Sequence, residues 1–248
     1  MSTTNASSSP SAAPASADAA TAPLRVGGLT ALSASDYPGQ LAAVVYCQGC
    51  PWRCGYCHNP HLLPAESDSG IAWDEILGFL RRRRGLLDAV VFSGGEPTAQ
   101  PGLAQAMRAA KALGYRVGLH SAGIYPRRFA EVLPLADWVG FDAKAPFDAA
   151  YARITGMRAS GEAALASARL LLASGVDCEF RTTWHARYLP PDELDRLAAT
   201  LADLGVRRYV LQQCRDGGHP AGRGGEWATP AALARLGQRI AQFSVRRA

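Results

Sequence analysis

Six times along this chain a short apolar run gives way to a segment of helical periodicity, and that alternation limits the possible folds more than any other feature. Strands are expected over residues 41–46, 88–92, 116–119, 138–141, 176–183 and 206–211. Helices are expected over 73–83, 101–113, 126–133, 162–173, 191–204 and 230–243. The strand segments are nearly continuous apolar runs rather than alternating ones, as in strands buried on both faces of a parallel sheet. Parallel crossovers are right-handed, so six such units curl into an open sheet or a partial barrel with the helices outside. In either architecture ligands bind at the carboxyl ends of the strands. The chemistry-bearing residues fall there. Four cysteines follow the first strand, Ser93-Gly-Gly-Glu96 the second, His120-Ser121 the third, Asp142 and Lys144 the fourth, Thr183 to His185 the fifth and Gln212-Gln213-Cys214 the sixth.

Composition removes several classes of function. With 48% hydrophobic and 19% charged residues in 248, the chain is not wholly disordered. Its longest uncharged apolar stretch, Leu41 to Cys47, is far short of the roughly 20 residues that span a bilayer. Four of the positive charges behind the net +5 sit together at Arg81–Arg84, so the balance gives no reason to invoke nucleic acid. Residues 1–23 are almost entirely Ala, Ser, Thr and Pro and are expected to be a disordered leader, followed by one domain over 24–248. That leader lacks the basic start and apolar core of a secretory signal and the arginines of a transit peptide, so a cytoplasmic protein is expected.

Cys47, Cys50, Cys54 and Cys57 lie within eleven residues, too close to staple a fold, so they read as metal or redox ligands. Cys50, Cys54 and Cys57 have the spacing C-x3-C-x2-C, with which three thiolates hold three corners of an iron–sulfur cubane and leave the fourth iron open. A structural zinc site usually needs two separated pairs of ligands, and no second pair follows. Cys47 is expected beside the cluster without binding it, and Cys178 and Cys214 as buried thiols. The Arg81–Arg84 run reads as a solvated helix end, where positive charge suits the helix dipole, with docking of an acidic electron donor as the alternative.

The cysteine triplet with Tyr56 before its last member, followed by Ser93-Gly-Gly-Glu96-Pro97 after the second strand, resembles the radical S-adenosylmethionine superfamily. The resemblance implies an α/β fold built as a partial (βα)6 TIM-type barrel, with a parallel sheet and outer helices. It implies a [4Fe–4S] cluster on Cys50, Cys54 and Cys57 and S-adenosyl-L-methionine on its open iron. Tyr56 would lie beside the adenine, and Gly94, Gly95 and Glu96 would receive the methionyl amino group. Glycine at those positions would let a ligand approach the backbone.

Gly28-Leu-Thr, Asp36-Tyr-Pro-Gly39, Gln48-Gly-Cys50, Cys57-His-Asn-Pro60, Asp142-Ala-Lys144 and Glu179-Phe-Arg-Thr-Thr183 are similar to the anaerobic ribonucleoside-triphosphate reductase activating proteins, relatives of the pyruvate formate-lyase activases. That narrower resemblance implies an oxidoreductase that cleaves S-adenosylmethionine to a 5′-deoxyadenosyl radical. The radical takes a hydrogen from a backbone glycine of a glycyl-radical enzyme, here an anaerobic ribonucleotide reductase. It implies no catalytic side chain beyond the cluster and the cofactor. It also places Asp142 and Lys144 at the cofactor, and Ser121 and His185 are further candidate contacts. Arg181 reads as a site-lining or ion-paired residue. Related activases often carry Asp-Thr-Asn-Gly where this chain has His120-Ser-Ala-Gly123, which removes any carboxylate contact at that point. With no cysteine-rich insertion or extension after Cys57, an external one-electron donor such as flavodoxin or ferredoxin is implied. The alternatives are a radical enzyme of the same fold acting on a small molecule or peptide, and a non-catalytic zinc-binding interaction protein.

Overall fold

The computed structural model describes residues 22–67, 70–214 and 227–247. The expected leader therefore lies outside the described residues except for Ala22 and Pro23. Among the described residues all eight strands belong to one sheet, ordered as they occur along the chain. β1 (Val26–Ser33) runs antiparallel to β2 (Ala42–Cys47). From β2 onward every pairing is parallel: β3 (Ala89–Gly94), β4 (Arg116–Ser121), β5 (Trp138–Asp142), β6 (Asp177–Trp184), β7 (Arg208–Gln213) and β8 (Gln242–Arg246). Between them run α1 (Trp73–Arg82), α2 (Leu103–Ala112), α3 (Pro126–Val132), α4 (Ala149–Thr155), α5 (Ser160–Ser174), α6 (Pro191–Asp203) and α7 (Pro230–Arg239). The first and last strands do not pair with each other, so the barrel stays open.

The six expected strands are the six central ones. The two edge strands escape the apolar-run criterion for physical reasons. β1 begins Val-Gly-Gly and is mostly half-exposed. β8 alternates Gln-Phe-Ser-Val-Arg along an exposed edge. The last helix, expected to 243, ends at Arg239, and Gln242 and Phe243 enter β8 instead. α4 is a further element that the periodicity did not single out. No helix among the described residues is long and apolar enough to cross a membrane.

Strand alternation fills both faces of the sheet. Ala43, Val45, Val90 and Phe92 pack under the helices, whereas Ala42, Val44, Ala89 and Val91 face the inside. On that inner side Tyr37, from the β1–β2 turn, stacks on Trp138 of β5, with ring centroids 5.1 Å apart. Gly118 of β4 makes room for it, since a Cβ there would stand 3.1 Å from the Tyr37 ring and 3.0 Å from Val91. The two rings plug the amino-terminal half of the barrel and leave the carboxyl ends of the strands for the site. Truncating Trp138 to Ala should therefore cost about 3–5 kcal/mol, read as a lowered urea midpoint; an unchanged midpoint would mean the plug is dispensable.

Candidate active site

The cysteine loop begins where β2 ends and is pinned along its whole length. Gly49 turns it at φ +98° and donates to the Leu62 carbonyl at 2.8 Å, and the Cys50 amide reaches Leu63 at 3.1 Å. The buried Gln48 amide group donates to the carbonyls of His61 and Pro64 and so closes the loop. On its other side Arg53 and Gly55 donate to the carbonyls of Thr155 and Ile154 at the end of α4. Trp52 packs edge-on against Tyr151 of that helix.

Cys50, Cys54 and Cys57 are all half-buried and line one cavity of about 170 Å³ at the carboxyl end of the sheet. Burial pushes the Cys50 thiol up to about 12, with Glu96 adding to the effect. Burial also raises Cys54, although Lys144 opposes it. Among the described residues no three His, Cys, Asp or Glu side chains gather around a single point as a lone metal ion would require. Cys47 is fully buried at the end of β2 and is not part of the cavity wall.

Glu96 forms the opposite wall. Its buried carboxylate accepts from the Thr98 amide (3.1 Å), the Thr98 hydroxyl (2.6 Å), the Ser121 hydroxyl (2.8 Å) and the Ala122 amide (3.0 Å). Burial nevertheless raises its pKa, against the pull of those donors. Ser121 in turn accepts from the Gly123 amide at 3.0 Å, so its hydroxyl serves the bracket between β3 and β4. Gly94 and Gly95 line the cavity, but their lack of a Cβ has a reason within the protein. A Cβ on Gly94, at φ +102°, would stand 2.6 Å from the Cys47 nitrogen, and one on Gly95 would stand 2.3 Å from the Gly49 oxygen. The glycines admit the cysteine loop itself, a requirement additional to the ligand approach expected from sequence.

Asp142 and Arg181 face each other in register on β5 and β6. Arg181 Nε and Nη2 both lie 2.9 Å from Asp142 Oδ1, and Lys144 Nζ is 3.8 Å from Oδ2. Burial works against the Asp142 charge, but Arg181 and Lys144 outweigh it and hold the carboxyl below its usual range. Lys144 stays protonated well above its ordinary value because Cys54, Asp142 and Tyr56 outweigh its burial. Gly140 leaves space for the guanidinium, since a Cβ there would be 2.7 Å from Arg181 Nη1. Arg181 is thus both lining and ion-paired, as its sequence context indicated.

His120 is buried, and its Nε2 lies 2.8 Å from the Asp36 carbonyl, which can only accept. Nε2 therefore carries the proton, leaving Nδ1 to accept from the Ser93 hydroxyl at 3.1 Å. Burial and the nearby Arg181 lower its pKa to about 3, so the imidazole is neutral. Tyr56 lines the cavity, packed edge-on against Tyr188 at 5.8 Å, and its buried hydroxyl has no hydrogen-bond partner among the described residues.

His185 is not brought to the cavity. It is buried behind the wall, 5.0 Å from Tyr188, with Nδ1 accepting from the Arg187 amide. Trp52, Asn59 and Ile124 line the cavity without having been singled out. Of these only Asn59 carried a sequence signal, in Cys57-His-Asn-Pro60. Cys214 is buried at the end of β7, with its sulfur 3.3 Å from His58 Nε2. Cys178 is half-buried rather than enclosed. The Arg81–Arg84 run ends α1 just before β3 begins, at the end of the barrel opposite the cysteines.

A thiol triplet, a carboxylate bracket and an Asp–Lys–Arg cluster thus meet at the carboxyl ends of parallel strands. The radical SAM superfamily model matches residues 44–183, and the chain belongs to that superfamily. It is 32% identical over 198 residues to a Methanocaldococcus jannaschii protein named as a glycyl-radical enzyme activating enzyme, covering 76% of this chain and 79% of the relative. Within the superfamily the chain therefore belongs with the glycyl-radical enzyme activating enzymes.

A pyruvate formate-lyase-activating enzyme of Clostridium pasteurianum is 33% identical over 53% of this chain and 57% of its own length. A PqqA peptide cyclase of Gluconobacter oxydans is 29% identical over 65% of this chain and 46% of its own. Streptococcus suis SuiB bound to S-adenosylmethionine shares the fold, with a TM-score of 0.64 at 15% identity over 82% of this chain and 49% of that one. The chain thus spans only about half the length of several of the proteins it matches.

The cofactors of the superfamily are a [4Fe–4S] cluster and S-adenosylmethionine. The residues present fit them: three thiols share one wall, a buried tyrosine hydroxyl lacks a partner among the described residues, and groups of both charges face an amino-acid-sized space.

Two outcomes follow for the site. Glu96→Gln would turn an amide NH2 toward the Ala122 amide or the Thr98 and Ser121 donors. It should reduce S-adenosylmethionine cleavage at least tenfold, on the order of one lost charged hydrogen bond; full activity would contradict the bracket. Because Asp142 has its pKa depressed on folding, its stabilising contribution is present above about pH 4 and is lost as pH falls through the lower folded value. The difference in melting temperature between wild type and Asp142→Asn should therefore be present at pH 7 and shrink on acidification. A constant difference would contradict the ion pairing.

Proposed function

We propose that this chain is a glycyl-radical enzyme activase whose target is a backbone glycine of an anaerobic ribonucleotide reductase-type partner in the cytoplasm. In this reading a flavodoxin or ferredoxin supplies the electron. The observation that carries it is the single cavity joining the cysteine triplet to Glu96 and to the Asp142–Lys144 pair, together with the 32% identity to an activating-enzyme relative.

Cys50, Cys54 and Cys57 are assigned to three irons of the cluster, and Tyr56 to the adenine. Gly94, Gly95 and Glu96 are assigned to the cofactor's amino group, and Asp142, Lys144 and Ser121 to the remaining polar contacts. When bound, cluster and cofactor together supply a carbon radical able to break an unactivated C–H bond, which side-chain acid–base chemistry cannot do. The protein's part is positioning and exclusion of water. Lys144 and Arg181 keep Asp142 ionised. Neutral His120 fixes the Ser93 hydroxyl and adds no charge to the cavity. Glu96 retains one carboxylate oxygen with a single protein donor, so it has capacity for an ammonium group. His185, outside the cavity, is assigned to supporting Tyr188 and through it Tyr56. The unpaired edges β1 and β8 leave a lateral opening, which a protein substrate requires.

The test is anaerobic. After cluster reconstitution, the protein, S-adenosylmethionine, a reductant and an anaerobic ribonucleotide reductase should give 5′-deoxyadenosine and a glycyl-radical doublet in the electron paramagnetic resonance spectrum. Cys54→Ala should reduce both to background. Deoxyadenosine without the doublet, on this and other glycyl-radical partners, would overturn the activase reading and favour a peptide or small-molecule substrate.

A further inference from the structure

The loop assigned to the cluster shares the surface with two other turns. Arg53 and Gly55 donate to the carbonyls of Thr155 and Ile154, and a Cβ on Gly156 would stand 3.7 Å from the Arg53 Cβ. On the other flank the Tyr188 ring crosses Gly55 so closely that a Cβ there would stand 2.4 Å from it. The cysteine loop, the α4–α5 turn and the β6–α6 turn therefore form one continuous surface over the cysteines.

Its charge is one-sided. No Asp or Glu occurs from 37 to 65, from 149 to 161 or from 180 to 191, whereas, besides the buried Arg181, Arg53, Arg153, Arg158 and Arg187 do. All four are exposed. Arg153 is paired with Glu193. Among the described residues, Arg53, Arg158 and Arg187 have no carboxylate within ion-pair distance, the Arg53 guanidinium being held by the carbonyls of Cys50 and Trp52. Met157, 43% exposed, precedes Arg158 in the α4–α5 turn and adds an apolar element to this surface. The Arg81–Arg84 run, by contrast, is at the far end of the barrel and too remote to deliver an electron to the cysteines.

We infer that this surface, carrying the exposed Arg158 and Arg187 and the exposed Met157, docks an acidic one-electron carrier protein. It rests on the assignment of the cysteine loop to the cluster. The carrier would give one electron to the cluster that Cys50, Cys54 and Cys57 would hold, with no bond made or broken. Exposed charges of this kind govern encounter rate and salt dependence, and a small contact suffices because redox encounters lie at the low end of interface sizes. The substrate protein is the less fitting occupant, since its glycine has to enter the barrel rather than rest on the outside of the cysteine loop.

Arg158→Glu/Arg187→Glu is compared with Arg81→Glu/Arg83→Glu, which makes the same charge change at the opposite end. Calorimetric titration with flavodoxin, and with a ferredoxin as second probe, should show binding weakened roughly tenfold by the first pair and unchanged by the second. The salt dependence should be flatter for the first pair. Melting temperature checks folding, and deoxyadenosine formation driven by dithionite should match wild type in both. Equal binding by wild type and the first pair, absence of binding of either carrier to wild type, or loss of substrate-protein binding with carrier binding intact would each overturn the inference. Failure of wild type itself to cleave the cofactor with dithionite would strike the enzymatic reading instead, while the binding comparison still decides the surface.

Discussion

The site depends on how the end of β3 is locked to the end of β2. The Gly95 amide donates to the Cys47 carbonyl and the Glu96 amide to the Gly49 carbonyl, both at 2.9 Å, at a separation only glycine at 94 and 95 permits. Glu96 then extends the lock to β4 through Ser121 and Ala122. A buried carboxylate is costly unless its oxygens are satisfied, and this one finds its donors only when the turn at Thr98 after β3 and the end of β4 at Ser121 and Ala122 are both in place. The cysteine loop is therefore held by the same bonds that complete the core. A loop carrying three thiols without such an anchor would have to be ordered by its ligand alone.

The inner plug has a related effect. The Tyr37–Trp138 stack closes the amino-terminal half of the barrel, and the Asp36 carbonyl beside it fixes the tautomer of His120. The turn that fills the core thus also orients the floor of the cavity. This explains how His120 replaces the carboxylate found in related activases without leaving a bare charge: the imidazole is neutral, and both its nitrogens are used by the protein. The cationic partners of Asp142 then set the polarity of that side of the site.

Most of the central strands were legible because burial on both faces forces a near-continuous apolar run, as in Ala42–Val45, Ala89–Phe92 and Trp138–Phe141, whereas Asp177–Trp184 carries Asp177, Glu179 and Arg181 and was marked instead by its place between two helical segments. The cysteines, Ser93–Glu96 and the Asp142–Lys144 pair were legible because parallel strands deliver their last residues to one end. The edges were not. Val26–Ser33 spends two of its first three residues on glycine, and Gln242–Arg246 is a short alternation behind a helix whose periodicity runs on into it. Contacts that depend on long-range packing left no local trace either: Cys214 meets His58 across 156 positions, and the reason for Gly94 and Gly95 lies in the backbone of another strand. His185 follows a strand end as the true lining residues do, yet one residue beyond the strand the chain turns behind Tyr188.

An open barrel has a cost that closed ones avoid, because its two outer strands keep unpaired amides and carbonyls that another chain's strand can copy. β1 meets it with two breaks in register, between Val26 and Gly28 and between Thr30 and Ser33, which leave no straight template. β8 meets it with brevity and with Arg246, held against Glu179 of β6. The opening needed for access is thereby kept from becoming a route to aggregation.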